Sequence, residues 1–304
     1  MWLLQHHALH SAPIAHDDPD EYVLDIGCGA GTWAIDYATE HPNARVLAVD
    51  ISCPKHRDSE RSNCHFRTGN VEKEWKHFVR GNFDFIHIRM MVNSIRDWPL
   101  LLNRCIQHLN PGGWLEINDV ANRFFSADGC SETESPMLRW WRIVFQGCAE
   151  ICDIDIHATY MHAQEMWEAG FVDVRERVFT WPVGSARAKS EEEKKIGKLQ
   201  IKYLKMLVHK MTESAAGSVR LAIPDTEIYA MGEQAERDLV ENADAHGYYM
   251  HYATIVGRRR NLEEKPKKAT NRRDLLSQSH DLWVRDVMNS GAVPGVKEDT
   301  SKSQ

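Results

Sequence analysis

The chain has 304 residues, 42% of them apolar, and a formal net charge of −7. That length admits one large domain or two small ones, the apolar share is enough for a core, and the acidic balance argues against direct nucleic-acid binding. No apolar run approaches the roughly 18 residues of a membrane span, and Met1-Trp2-Leu3-Leu4 is too short for a secretory signal core, so a cytoplasmic protein is expected.

Seven cysteines, scattered without a Cys-x-x-Cys pair, read as reduced thiols. Cys148 and Cys152 sit a helical turn apart with no matching histidine pair, and no metal site is expected. The lead-in, residues 1–21, carries His6, His7, His10 and His16, with no carboxylate or cysteine at ligand spacing. It reads as a polar approach to the first strand.

Val23-Leu24-Asp25-Ile26-Gly27-Cys28-Gly29-Ala30-Gly31 is a buried strand breaking into a glycine turn, and a helix opens at Thr32 and stops before Pro42. The turn reads Gly-x-Gly-x-Gly, so NAD, FAD and S-adenosylmethionine all remain open as its ligand. Arg45 to Asp50 is a second buried strand ending in a carboxylate about 20 residues on, where a doubly wound fold sets an acid against ribose hydroxyls. Cys64 to Thr68 is a third strand. It leads into Gly69-Asn70-Val71-Glu72, a turn able to meet an adenine edge through Asn70 and Val71.

Phe83 to Arg89 reads as a fourth strand, Leu100 to Leu109 as a helix ended by Asn110-Pro111-Gly112-Gly113, and Trp114 to Asp119 as a fifth strand. Regular alternation from residue 22 to 120 predicts an α/β fold, a parallel sheet of βαβ units forming a cofactor half. Residues 121–257 form a helical, substrate-side half. Ser135-Pro136 opens a helix with Trp140, Trp141 and Phe145, core residues in the first instance and acceptor-lining in the second. A helix over His157 to Ala169 and a strand over Phe171 to Phe179 follow. Ser190-Glu191-Glu192-Glu193 fits a capping box, and the helix it opens places Ile196, Leu199, Tyr203, Met206 and Leu207 on one side. Asp225 to Ala245 predicts a further helix, and Tyr248 to Val256 the last strand. Some of these helices are expected to form a lid. The basic tail, 258–304, reads either as a nuclear-import signal or as a solvated linker, with a short amphipathic helix over Leu275 to Met288.

The strand–glycine turn, Asp50, Gly69 to Trp75, Phe83 to Arg89 and Pro111-Gly112-Gly113-Trp114-Leu115-Glu116 together resemble class I S-adenosylmethionine-dependent methyltransferases. Gln5-His6-His7, Trp33-Ala34-Ile35-Asp36, Asn93 to Trp98 and Ala169 to Val174 are similar to the LaeA-like methyltransferases of filamentous fungi. The resemblance implies a Rossmann-like, seven-stranded sheet, mostly parallel, with the last strand antiparallel. It implies S-adenosyl-L-methionine as cofactor, with Asp25, Gly27, Gly29 and Gly31 at its methionine part, Asp50 at its ribose, and Asn70 and Val71 at its adenine. Relatives often carry an acid where Asn70 stands, and an amide still accepts through its oxygen. They also carry a longer segment before the first strand, so the loop is expected to lie more open here.

Methyl transfer needs alignment more than proton transfer. If a base is used, His87 and Arg89 share one side of the fourth strand at its carboxyl end, while His87 reads equally as a hydrogen-bonded strand histidine. The expected function is O- or N-methylation of a small molecule in fungal secondary metabolism. The alternative is a nuclear regulator of such metabolism that works through a protein complex.

Overall fold

The computed structural model describes residues 8–14, 21–53, 62–73, 75 and 83–264. The expectations placed on the remaining histidines of the lead-in, on Lys265 onward and on Leu275 to Met288 lie outside the described residues. Among the described residues no helix is long and apolar enough to cross a membrane.

Strands Tyr22–Ile26 (β1), Arg45–Asp50 (β2), Cys64–Thr68 (β3), Phe83–Arg89 (β4), Leu109–Phe125 (β5), Val172–Pro182 (β6) and Tyr249–Arg258 (β7) form one sheet in the order β3-β2-β1-β4-β5-β7-β6. All pairs from β3 to β5 are parallel, and β7 runs antiparallel to both β5 and β6. This is the seven-stranded arrangement that the resemblance implies.

One face of β1, β2 and β4 packs on helix Thr32–Glu40 (α1) and on residues 8–14, where Leu9, Ala12, Trp33, Ala34, Tyr37 and Phe85 are buried together. The described part of the lead-in is therefore packed rather than loose. Leu9 accepts the Trp33 indole N–H at 2.7 Å, and the Ser11 and Ala12 amides both donate to Glu116 Oε2 at 2.7 Å.

Helix Trp98–His108 (α2) starts earlier than Leu100, because Asp97 caps it by accepting the Leu100 amide at 2.8 Å and Pro99 suits the first turn. Asn110 to Gly113, expected as a turn, already belongs to β5. There Gly113 sits in a tight place, since a Cβ would lie 3.0 Å from both the Asn110 and the Asp84 carbonyl oxygens.

After β5 the Ser135 hydroxyl accepts the Leu138 amide and opens Pro136–Trp140 (α3), which continues through a π-helical stretch, Trp141–Gln146, into Gly147–Ile151 (α4). The helix expected over His157 to Ala169 is a 3-10 turn, Ala158–Tyr160, followed by His162–Glu168 (α5). Glu191–Ala215 (α6) and Asp225–Glu241 (α7) lie between β6 and β7 and pack on α3 and on each other; a short Ala243–His246 (α8) leads into β7. The Ser190 hydroxyl accepts the Glu193 amide, while the Glu193 carboxylate takes the Lys189 amide rather than that of Ser190, so only half of the capping box forms.

The buried face of α6 also differs from the expected stripe. Ile196, Gly197, Gln200, Leu204, Val208, Thr212 and Ala215 face inward, and Leu199, Tyr203 and Met206 face solvent. The reason lies at Gly197: a Cβ there would overlap the Gly184 carbonyl, so helix and backbone meet at closest approach through the small-residue face. Trp140, Trp141 and Phe145 are core. The Trp140 indole donates to Thr212 at 3.0 Å, the Trp141 indole to the Asn122 carbonyl at 3.2 Å, and Trp141 stacks on Phe145 at 4.2 Å.

Candidate active site

The parallel strands β1, β2 and β4 end at one edge of the sheet, and the helical layer gathers at the same edge, where β5 finishes and β7 begins. From β1 the backbone turns through Gly27, Gly29 and Gly31, at φ of 72°, 53° and 76°. L side chains avoid this region, so the three glycines are a conformational requirement. The Gly27 and Cys28 amides donate to the Val49 carbonyl at 2.8 and 3.1 Å, which seats the turn on the end of β2. A Cβ at Gly27 would overlap the Met91 thioether, and one at Gly31 the Phe66 ring, whereas one at Gly29 would meet nothing within 4 Å.

Asp50 ends β2 facing this loop. Its Oδ2 accepts the Gly29 amide and its Oδ1 the Ser52 amide, both at 2.9 Å. Each oxygen keeps lone pairs able to receive hydroxyl donors, so the carboxylate is both held and available. Asn70 is exposed and closes its own turn, its side-chain oxygen accepting the Glu72 amide at 2.8 Å. Val71 is buried beside it, its carbonyl accepting from the Trp75 indole and the Arg104 guanidinium at 2.7 and 2.8 Å.

Asp25 and His87 are register partners on β1 and β4 and share a face. Asp25 Oδ1 lies 2.8 Å from His87 Nδ1, and the Asn118 amide approaches His87 Nε2 at 3.4 Å. Those partners assign the ring proton to Nδ1. His87 is 1% exposed, with the Trp33 indole stacked on it at 3.7 Å and 9°. The network continues from Asn118 to Glu116 Oε1 at 2.8 Å, and from there to the amides of Ser11 and Ala12. One terminus of this chain is open. Asp25 Oδ2, on the strand that leads into the glycine turn, is buried with no hydrogen-bond partner among the described residues. An uncompensated buried carboxylate oxygen is costly, and an ammonium donor at the turn would satisfy it.

Arg89 ends β4 half-buried, opposite Asn118 in register. It therefore lies at the edge where the strands end, while His87 lies deeper in the sheet.

Two further residues sit at this edge that the sequence reading did not assign. Asp119 is fully buried, and its Oδ2 accepts the Met91 and Val92 amides at 2.9 and 2.8 Å. It thus holds the turn after β4 against the glycine loop. Burial pushes its pKa up to about 7 despite those bonds. An acid closing an apolar strand was the available signal. Tyr252, on β7, is wholly buried and stacks on Trp181 at 4.6 Å and 12°. Neither the Tyr252 hydroxyl nor the Trp181 indole nitrogen has a partner among the described residues. No local pattern could have found this pair, since β6 and β7 are joined through three helices.

Residues 6–176 match the family model described as a methyltransferase domain. The chain belongs to this methyltransferase family. Its cofactor is S-adenosylmethionine, and the residues fit it: the turn offers room only at Gly29, Asp50 offers acceptors, and Asp25 Oδ2 awaits a donor. The methyltransferase is 37% identical over 179 residues to Methyltransferase pytC of Aspergillus terreus, covering 58% of this chain and 53% of that one. It is 32% identical over 182 residues to Secondary metabolism regulator LAE1 of Cochliobolus heterostrophus, covering 57% and 58%. The match thus spans about half the length of these relatives. Among solved structures, a Haemonchus contortus phosphoethanolamine N-methyltransferase 2 is similar at 15% identity and a TM-score of 0.47, covering 80% of this chain and 49% of that one.

Proposed function

We propose that the protein transfers a methyl group from S-adenosylmethionine to an oxygen or nitrogen of a small molecule, within fungal secondary metabolism. The bound cofactor supplies a methyl carbon activated by its sulfonium. The chain's part is to hold and align. Gly27, Gly29 and Gly31 let backbone approach the methionine portion, and Asp25 Oδ2 receives its ammonium. Asp50 takes the ribose diol, and Asn70 and Val71 border the adenine. His87 is a positioning residue that orients Asp25 through the 2.8 Å bond, and Arg89, at the strand end, faces the acceptor side.

The observation that carries the small-molecule reading is the Tyr252–Trp181 pair: two buried polar groups without partners among the described residues, under a helical layer. Groups so placed fit a compact polar acceptor enclosed by the fold better than a peptide lying along its surface. The regulator reading draws on the likeness to LAE1. Against its import signal, Arg258 is engaged by Asp173 at 2.7 Å and Arg259 donates to the Leu109 carbonyl.

The test is methyl transfer from labelled cofactor to extracts of a strain lacking the gene, separated into small-molecule and protein fractions. The expected result is label in a small molecule that the intact strain consumes. Label confined to protein would favour the regulator, and no transfer to either fraction would overturn both.

A further inference from the structure

A second cluster of side chains lies away from the glycine loop, where β5 ends. There the chain turns back through residues 126–130 beside the last turn of α8. The turn is strapped in place: the Ala127 amide donates to the His246 carbonyl at 2.8 Å, the Ser126 hydroxyl to the Cys130 carbonyl at 3.2 Å, and the Cys130 amide to Asp128 Oδ1 at 3.0 Å. Gly247, at φ 56°, reverses the chain out of α8 into β7. These bonds bring together residues 118 apart in sequence, with Asp128 Oδ2 at 2.7 Å from His246 Nδ1. One ligand atom from each of Asp128, Cys130 and His246 lies within 4.8 Å of the others.

The donor set is a carboxylate oxygen, a thiol sulfur and an imidazole nitrogen. Bonds of about 2.0–2.3 Å in a tetrahedral zinc site set ligand atoms about 3.5 Å apart, so only a small inward movement separates this cluster from a chelate. A second feature points the same way. The other ring nitrogen of His246 faces Asp238 Oδ1 at 3.9 Å, and Asp238 is a buried carboxylate fixed by the Ser135 and Tyr248 hydroxyls and the Met137 amide. Histidines that bind metal through one nitrogen characteristically present the other to such a carboxylate.

We propose that Asp128, Cys130 and His246 form a binding site for a single divalent cation of the zinc type, with the fourth position open to water. The metal replaces the contact between Asp128 Oδ2 and His246 Nδ1: the neutral imidazole binds through Nδ1 and carries its proton on Nε2, toward Asp238, and the Cys130 thiol releases its own proton to solvent as the sulfur–metal bond forms. Bound there, the ion clamps α8 to the end of β5, and with it the helical layer over the active-site edge. The spacing of cysteines and histidines along the chain cannot show this site, because its ligands come from two remote segments.

The experiment is titration of the metal-free, full-length protein with Co²⁺, followed by Zn²⁺. A thiolate-to-cobalt charge-transfer band in the near ultraviolet, bleached by one equivalent of Zn²⁺, is expected. The band should be lost in Cys130→Ser and in His246→Gln, and should persist in Cys53→Ser, which breaks up a close pair of thiols elsewhere, Cys28 and Cys53 at 3.8 Å. Zn²⁺ should also raise the melting temperature of the unmutated protein and protect Cys130 from alkylation, mapped by mass spectrometry, a readout that needs no variant. Absence of the band, its survival in Cys130→Ser, or equal alkylation of Cys130 with and without Zn²⁺ would overturn the proposal.

Discussion

Asp50 shows how a single side chain is at once held and left available. Both oxygens accept backbone amides, and in the proposed site each still has a lone pair for a ribose hydroxyl. Asp50→Ala removes those acceptors, and the cofactor affinity measured by calorimetry should fall by about 1.5–3 kcal/mol per charge-assisted bond lost. The glycines separate folding from binding. Gly29→Ala meets no atom of the described residues within 4 Å and should cost about 1–2 kcal/mol of stability for its left-handed backbone, while blocking the cofactor. Gly31→Ala adds a clash with Phe66 and should lose more stability than Gly29→Ala in the same denaturant titration. Asp119 gives a pH signature. Its carboxyl keeps its proton to about pH 7 in the fold but releases it near 3.8 when unfolded. The folded state therefore binds more protons between those values, and the contribution of this group falls as pH rises across that window. Asp119→Asn should gain stability relative to the unmutated protein from about pH 4 to about pH 7 and level off above it, read as the difference in melting temperature. A constant difference would sink this account.

Among the elements, α6 shows where pattern and packing part. Its apolar residues at Leu199, Tyr203 and Met206 trace a plausible stripe, yet the helix turns the face of Gly197, Gln200 and Leu204 inward. Periodicity ranks faces by hydrophobicity, but contact with the Gly184 backbone is decided by which face is small enough. Gly197→Val should lower the unfolding midpoint sharply, by overlap with Gly184, whereas Leu199→Gln, on the exposed side, should change it little. Strands were easier to place: β3 and β4 fall at the boundaries expected from their apolar runs, because strand and turn signals there are local. The glycine turn was legible for the same reason. The Asn118–His87–Asp25 relay and the Tyr252–Trp181 pair were not, since each depends on strand register between distant segments.

For the molecule as a whole, the resemblance supplied what periodicity could not, namely the antiparallel last strand, while its place between β5 and β6 is seen in the structure. Alternation of strand and helix specifies parallel units up to β5 and says nothing of where β7 inserts. A chain ended after α7 should accordingly show no cooperative thermal transition, because β5 and β6 would each lose the neighbour that pairs them.

That placement also bears on how the protein comes into being. The strand that joins β5 to β6 is synthesised after both of them, so both must wait, with open edges, until Tyr249–Arg258 arrives. Pairings between distant segments form slowly, and open edges in the interval invite other chains. Strands β1 to β5, already paired with one another, can assemble meanwhile. Ligand that binds at the proposed site on these early strands would hold a template for the late strand, and yield on refolding should rise with S-adenosylmethionine in the buffer.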